Sequence, residues 1–443
     1  MDNLAEKLNK QPKEVIGRIR LIARIAEELK LPAYAVGGFV RDIILGSKNF
    51  EASASPGVNS ECNRTVDLDI VAEGDGIDFA RELSRRVKGS KCIKHRQFGT
   101  ATIAAEEKTK IDIASARKEI YEHPACLPKV MPGTIKDDLA RRDFSINAMA
   151  LDISREHFGG LVDFFHGRQD INKKIVRALH AGSFIDDPTR ILRAIRFEQR
   201  FGFTIEPQTL RLIREAVDLH MLEKVHDHRL RDELMLILKE PAAVRCIKRV
   251  DALCGFGFIH NDLRISRGTI VSLEEIRNLH IWFEENFSHR RKVELWVLYL
   301  AILLEALDAR QVGIILSEFA FRKAEVKIIL SFKEQAGKVL SGLEAADSPS
   351  QIYKVLYGLS YETLLLILLI ARTKNIKQKI TDFLRLYSVS RIFISGHELK
   401  EYGIPQGPRF KEILKELLYA KLDGRFSTKE EELRYLGDKI LKK

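Results

Sequence analysis

The chain has 443 residues, of which 45% are hydrophobic and 30% charged, with a formal net charge of +11. That length holds about two to four domains of ordinary size, the composition is that of a soluble globular protein, and the basic excess favours a polyanionic partner. The longest apolar run, residues 364–371, falls well short of the ~20 residues of a membrane span.

The opening Met1-Asp2-Asn3-Leu4 has no basic-then-apolar secretion pattern, so a cytoplasmic protein without a membrane anchor is expected. Cysteines 62, 92, 126, 246 and 254 are scattered and lack Cys-x-x-Cys spacing, which points to reduced thiols and away from a structural zinc.

Helical periodicity over residues 15–29 precedes a strand at 33–36, which runs into Gly37-Gly38 and a helix at 41–45. Residues 47–65, with Ser53-Ala54-Ser55-Pro56-Gly57, read as a long surface loop. A strand at 67–71, a helix at 77–86 and strands at 100–104 and 110–114 complete a small α/β or α+β unit. Beyond about residue 151 the pattern becomes helical, with amphipathic segments at 209–216, 229–238, 273–285, 293–307, 324–340 and 361–371. The expected architecture is α+β, with an N-terminal head over 1–150, a helical neck over 151–265 and a helical body and tail over 266–443.

Chemistry concentrates in the head and neck. Asp67 and Asp69 are two apart on a strand and so share a face; paired carboxylates suit a hard cation such as Mg²⁺ together with substrate phosphates. Gly37-Gly38 before a helix start lets backbone N–H groups approach a polyphosphate. Asp112 alternates with Ile111 and Ile113; it either completes the metal cage or takes a proton from an attacking hydroxyl, or it is an edge-strand surface residue. In 141–147, Arg142 suits phosphate oxygens and the Asn147 amide a ribose hydroxyl, while Asp143 or Ser145 reads equally as a helix cap. Asp187 and Arg190 stand three apart at a helix start, where they either present an acceptor and paired donors to a base edge or form an ordinary capped helix. Arg193 and Arg196 continue the spacing towards a triphosphate or RNA phosphates. His226 and His228 read as helix-start polar residues, and Phe256, Phe258, Trp282 and Phe283 as core. The basic groups at 289–292 and 372–379 suit either tRNA phosphates or solvated helix ends.

Gly37-Gly38-x-Val40-Arg41-Asp42, Asp67-x-Asp69, Arg141-Arg142-Asp143-x-x-x-Asn147-Ala148 and Asp187-x-x-Arg190-x-Leu192-Arg193-Ala194-x-Arg196-Phe197 resemble the ordered motifs of class II tRNA nucleotidyltransferases. That family includes CCA-adding enzymes, CC-adding and A-adding relatives, and bacterial poly(A) polymerases. The match is dense over about residues 33–238, and 395–408 is similar to the tail of some bacterial members.

The resemblance implies a polymerase β-like head holding two Mg²⁺ ions, with ATP and CTP as substrates and the tRNA acceptor end as partner. It assigns Asp67 and Asp69 as metal ligands, Gly37, Gly38 and Arg41 to the triphosphate loop, and Arg142 and Asn147 to nucleotide contacts. Asp187 and Arg190 resemble the protein template for the incoming base, with Arg193 and Arg196 completing the site. Residues 116–133 resemble a flexible loop associated with A addition, and read otherwise as a mobile polar connection. The expected reaction is template-independent addition of CMP and/or AMP to the tRNA 3′ end. Its rivals are a poly(A) polymerase, a partial CC-adding or A-adding enzyme, a non-catalytic RNA-binding relative, and nucleotide transfer to a small molecule or protein.

Overall fold

The computed structural model describes residues 4–46, 66–87, 89–96, 99–104, 109–120, 122–126, 128–401 and 407–441. The expected loop at 47–65 lies outside the described residues, and a strand begins at Val66. Two compact units divide the chain, Met1–Asp262 and Leu263–Lys443.

The first unit opens with α1 (Ala5–Asn9), α2 (Lys13–Glu28), β1 (Ala33–Val36), α3 (Gly38–Leu45), β2 (Val66–Ala72) and α4 (Gly76–Arg86). Strands β3 (Lys91–His95), β4 (Thr100–Ala104), β5 (Thr109–Ser115), β6 (Arg117–Ile120) and β7 (Lys129–Pro132) follow, then α5 (Ile135–Ala140), β8 (Ala150–Asp152), β9 (Leu161–Val162), α6 (Gly167–Lys173) and β10 (Ile175–Val176). The unit closes with α7 (Ser183–Asp186), α8 (Thr189–Phe201), β11 (Thr204–Ile205), α9 (Pro207–Asp218), α10 (Asp227–Leu238) and α11 (Ala243–Leu253).

The main sheet has the order β3-β4-β5-β2-β1-β8-β9. Only β2 and β5 run parallel, with Asp69 opposite Asp112; the other neighbours are antiparallel. Helix α2 buries Ile19, Ile22 and Ile25, and α4 buries Phe79, Ala80 and Leu83 against the sheet. Val36, Val71, Leu139 and Ala150 form a cluster that ties β1, β2 and β8 to α5.

Three features differ from the sequence expectation. Strand β3 was not foreseen: its Lys91, Lys94 and His95 are exposed at a sheet edge, so it carries no apolar alternation. The sheet also extends past residue 150, because β8 and β9 are too short to show periodicity. Within 116–133, the segment expected to be a loose connection, β6 and β7 pair antiparallel from Arg117↔Pro132 to Ile120↔Lys129.

The second unit contains α12 (Arg267–Asn286), α13 (Leu295–Leu303), α14 (Ala309–Glu318), α15 (Lys323–Ala345), α16 (Pro349–Leu356), α17 (Tyr361–Ile370), α18 (Lys374–Arg385), α19 (Gly396–Glu401), α20 (Pro408–Leu422) and α21 (Lys429–Tyr435). Its apolar run sits in α17, where Leu364 to Leu368 are buried. Among the described residues no single helix is long and apolar enough to cross a membrane. Of the basic group at 289–292, Arg290 donates to the Tyr361 hydroxyl and the Leu384 carbonyl, and Arg291 forms a two-pronged pair with buried Glu362. These two arginines hold the helices together. Phe256, Phe258 and Phe283 are core residues, as read from the sequence.

Candidate active site

The turn between β1 and α3 explains its glycines. Gly37 has φ +70°, in the left-handed region that side chains avoid, and a Cβ there would lie 2.8 Å from Arg142 Nη1. Gly38 then opens α3, an eight-residue helix whose first N–H groups have no intrahelical acceptor. One turn on, Arg41 is buried and donates from Nη1 to Asn147 Oδ1 at 2.7 Å. Its guanidinium lies 4.6 Å from the Phe201 ring centroid and pairs with Asp42 at 2.9 Å. Burial pulls the Arg41 guanidinium below its ordinary pKa, and Asp42 offsets part of that.

Asp138, fully buried near the end of α5, separates two neighbouring arginines. Its Oδ1 takes Arg141 Nη2 at 2.6 Å and its Oδ2 takes Arg142 Nη2 at 3.0 Å. Arg141 is thereby tied to Glu119 of β6 at 3.0 Å, whereas Arg142 lies beside Gly37 with its Nε buried and lacking a hydrogen-bond partner. A buried donor in that state is stabilised by any acceptor that reaches it.

Asp143 organises the next layer. Its Oδ1 accepts from the Phe144 amide at 2.8 Å and Asn147 Nδ2 at 3.0 Å, while its Oδ2 accepts from Arg193 Nε and Nη2 at 2.9 and 2.7 Å. Burial pushes this carboxyl up, but Arg193, Asn147 and the Phe144 amide outweigh it and hold it below the usual carboxylate range. The same pairing acts in reverse on Arg193: burial lowers its pKa, and Asp143 and Glu233 more than restore it. The sequence suggested a helix cap at Asp143; its side chain fixes Asn147 and Arg193 instead.

Helix α8 begins just after Asp187, whose Oδ1 accepts from the Thr189 amide at 3.1 Å and the Thr189 hydroxyl at 2.6 Å. Asp187 is therefore a cap in extended backbone preceding the helix, and Arg190 occupies the first turn. Arg190 is 4% exposed and donates from Nη1 to Ser183 Oγ at 2.7 Å and from Nη2 to the Arg141 carbonyl at 2.8 Å. Each terminal nitrogen keeps a second N–H. Arg196 is also buried, which lowers its pKa, and its Nε has no hydrogen-bond partner.

Asp69 is exposed on β2. Its register partner Asp112 lies on the same sheet face, because directly opposed residues of neighbouring strands project together. Thr102 Oγ1 and Lys110 Nζ each donate to Asp112 at 2.6 Å. Two hard carboxylate groups side by side are the donor chemistry a divalent cation such as Mg²⁺ takes. The Asp67 side chain lies outside the described residues.

Gly37, Gly38, Arg41, Asp69, Arg142, Asn147, Asp187, Arg190, Arg193 and Arg196 line one cavity of ≈ 450 Å³, within the usual size of a small-ligand site. Asp112 and Asp69 line an adjoining space of ≈ 260 Å³ with Thr102, Arg141 and Arg142. Sequence reading took Asp143 for a cap and missed Glu119, Arg200, Arg229 and Glu233 as parts of this region. Arg229 pairs with Asp187 at 2.8 Å and Glu233 with Arg193 at 2.9 Å; the signal available was their opposite charge at four-residue helical spacing. His226 and His228 stack on each other in exposed positions. No cluster of three or more His, Cys, Asp or Glu suited to a metal occurs among the described residues.

Residues 33–177 match the family described as the poly A polymerase head domain, and 202–253 match a probable RNA and SrmB-binding site of polymerase A. The chain is 37% identical over 429 residues to the A-adding tRNA nucleotidyltransferase of Geobacter sulfurreducens, covering 96% of this chain and 47% of that protein. It thus spans about half the length of the first curated relatives it matches. It is 32% identical to the A-adding tRNA nucleotidyltransferase of Halalkalibacterium halodurans, covering 98% of this chain and 95% of that one. Among solved structures, the Thermotoga maritima CCA-adding enzyme complexed with tRNA superposes with a TM-score of 0.73 at 32% identity, covering 98% of each chain.

Proposed function

The chain belongs to the tRNA nucleotidyltransferase family, and from that premise we propose that it adds CMP and/or AMP to the 3′ end of tRNA without a nucleic-acid template, releasing pyrophosphate. The observation that carries the proposal is a single cavity that holds a phosphate-suited glycine turn, a carboxylate on the sheet and the Asp187–Arg190 pair.

Each part has a separate task. The N–H groups at Gly38, with Arg41 and Arg142, hold the triphosphate, and Asn147 meets the ribose. Asp187 accepts from the exocyclic amino group of cytosine or adenine, while Arg190 donates to the neighbouring ring nitrogen or carbonyl. Arg193 and Arg196 complete the nucleotide site. Asp67 and Asp69 would hold Mg²⁺, which would supply positive charge to offset that of the triphosphate. The tRNA 3′ oxygen attacks the α-phosphorus, the bond to the β-phosphate breaks, and Asp112 takes the hydroxyl proton. Helices of the second unit bind tRNA by shape and charge.

Between the two nucleotides, relatives named A-adding match at 32–37% identity, against 25–27% for the curated CCA-adding relatives. The solved CCA-adding enzyme of Thermotoga maritima matches at 32% as well, so addition of AMP is the step common to both groups. Three primers test this: tRNA lacking CCA, tRNA ending in both cytidines, and an RNA without a tRNA fold, each given CTP or ATP alone. AMP joined only to the cytidine-ended tRNA supports an A-adding enzyme. CMP addition to the truncated tRNA replaces it with a CC-adding or CCA-adding one, and extension of the unstructured RNA replaces it with a poly(A) polymerase.

A further inference from the structure

The base-reading carboxylate is gripped from two helices. Asp187 Oδ1 accepts from the Thr189 amide and hydroxyl and forms an ion pair with Arg229 Nη2, from the first turn of α10, at 2.8 Å. A carboxylate oxygen has two lone-pair sites; the two Thr189 hydrogen bonds fill them, and the Arg229 charge reinforces the hold. Oδ2 makes no hydrogen bond among the described residues, although Asp187 lines the cavity. Arg229 reaches this position at the expense of its own Nη1, which is buried without a hydrogen-bond partner.

We propose that Arg229 is a specificity-determining positioning residue: it locks one oxygen of Asp187 so that the other alone faces the incoming base, and thereby sets rejection of bases that present a carbonyl there. This rests on the base-reading role proposed above for Asp187. Rotation of a carboxylate about its last bond is broad and two-fold. Thr189 alone, bonding from the residue two positions on, holds it against only one side. With Arg229 holding the same oxygen from a second helix the plane is fixed, and uracil, which offers an oxygen where cytosine and adenine offer an amino group, meets an acceptor that cannot turn away. A site built to pair a donor discriminates strongly against a ligand that lacks it. Glu233, one turn along the same helix, grips Arg193 at 2.9 Å, which makes it the natural comparison.

Incorporation of CTP, ATP and UTP on matched tRNA ends is measured for wild type, R229Q, R229K, E233Q, D187A and the D187A/R229Q double variant, with thermal melting as the check on folding. R229Q is expected to lower kcat/KM for the accepted nucleotide about tenfold while UTP changes far less. R229K, which keeps the charge but not the planar fork, narrows discrimination about threefold. E233Q lowers all three nucleotides in parallel, and R229Q adds nothing once Asp187 is alanine. Should R229Q not fold, R229K decides: a narrowed ratio supports the assignment and an unchanged ratio overturns it. A parallel loss for all three nucleotides in a folded R229Q also overturns it. A wild-type protein that incorporates no nucleotide refutes the proposed function itself, a result distinct from either.

Discussion

Helix α8 in the first unit and helix α17 in the second are both buried over most of their length, yet they bury opposite chemistries. Helix α8 encloses Arg190 and Arg196 among Ile191, Leu192, Ala194 and Ile195. Helix α17 encloses Leu364 to Leu368, with Glu362 and Thr363 at its start. Buried leucines need only neighbours, whereas a buried arginine needs partners for its donors. Those partners come from distant positions: Ser183 and the Arg141 carbonyl serve Arg190, and Glu362 is served in turn by Arg291. The difference teaches that buried arginines with donors to spare mark the site, whereas apolar burial and fully paired charge such as Arg291–Glu362 mark the scaffold.

Substitutions should separate the two regions cleanly. Asp69→Ala, on the cavity face, is expected to lower nucleotide incorporation by about 10³-fold or more, since carboxylates that hold a reaction's cations have no substitute. Its melting temperature and tRNA affinity should stay near wild type; near-normal incorporation in Mg²⁺ by the folded variant would break the contrast. Leu366→Ala, in fully buried surroundings on α17, should do the reverse. A loss of about 2–5 kcal/mol in stability is expected, read as a lower denaturant midpoint, with kcat unchanged below the transition.

Acid should reach the site through Asp143. Its folded-state carboxyl titrates below the usual range because Arg193, Asn147 and the Phe144 amide outweigh burial. An unfolded aspartate titrates near ~3.9, so on acidification the unfolded chain takes up the proton first. The Asp143 contribution is therefore whole above about pH 4 and is lost as pH falls through the folded value. Comparing unfolding free energy against pH for wild type and Asp143→Asn checks this; the variant should be less stable at neutral pH and show a shallower loss below about pH 4. The smallest effect concerns the helical unit. If its lysines and arginines track phosphates, tRNA affinity should fall linearly on a log–log plot against salt, and a flat plot would count against a broad electrostatic footprint.

The distribution of legible and illegible features follows from range. Strand β1 and the Gly37-Gly38 turn were readable because a few adjacent residues specify them. The alternation of Leu68 and Ile70 with Asp67 and Asp69 likewise announced β2. Strand β3 escaped because its exposed edge bears lysines, and the β6–β7 hairpin because its strands show no buried alternation. In the site, Asp143 looked like a cap since nothing local indicates that Arg193, fifty positions on, completes its second oxygen. Arg229 was overlooked for the same reason: its partner Asp187 is on another element.

The central claim is that protein side chains, Asp187 first among them, select the base. The most direct measurement is relative incorporation of CTP, ATP and UTP by wild type and Asp187→Ala on matched tRNA ends, with primer binding measured in parallel. The account predicts that the variant binds primer normally but loses either its rejection of UTP or its efficiency with the accepted nucleotide by at least about tenfold. A variant that keeps both its rate and its rejection of UTP would reduce Asp187 to a helix cap and contradict the account.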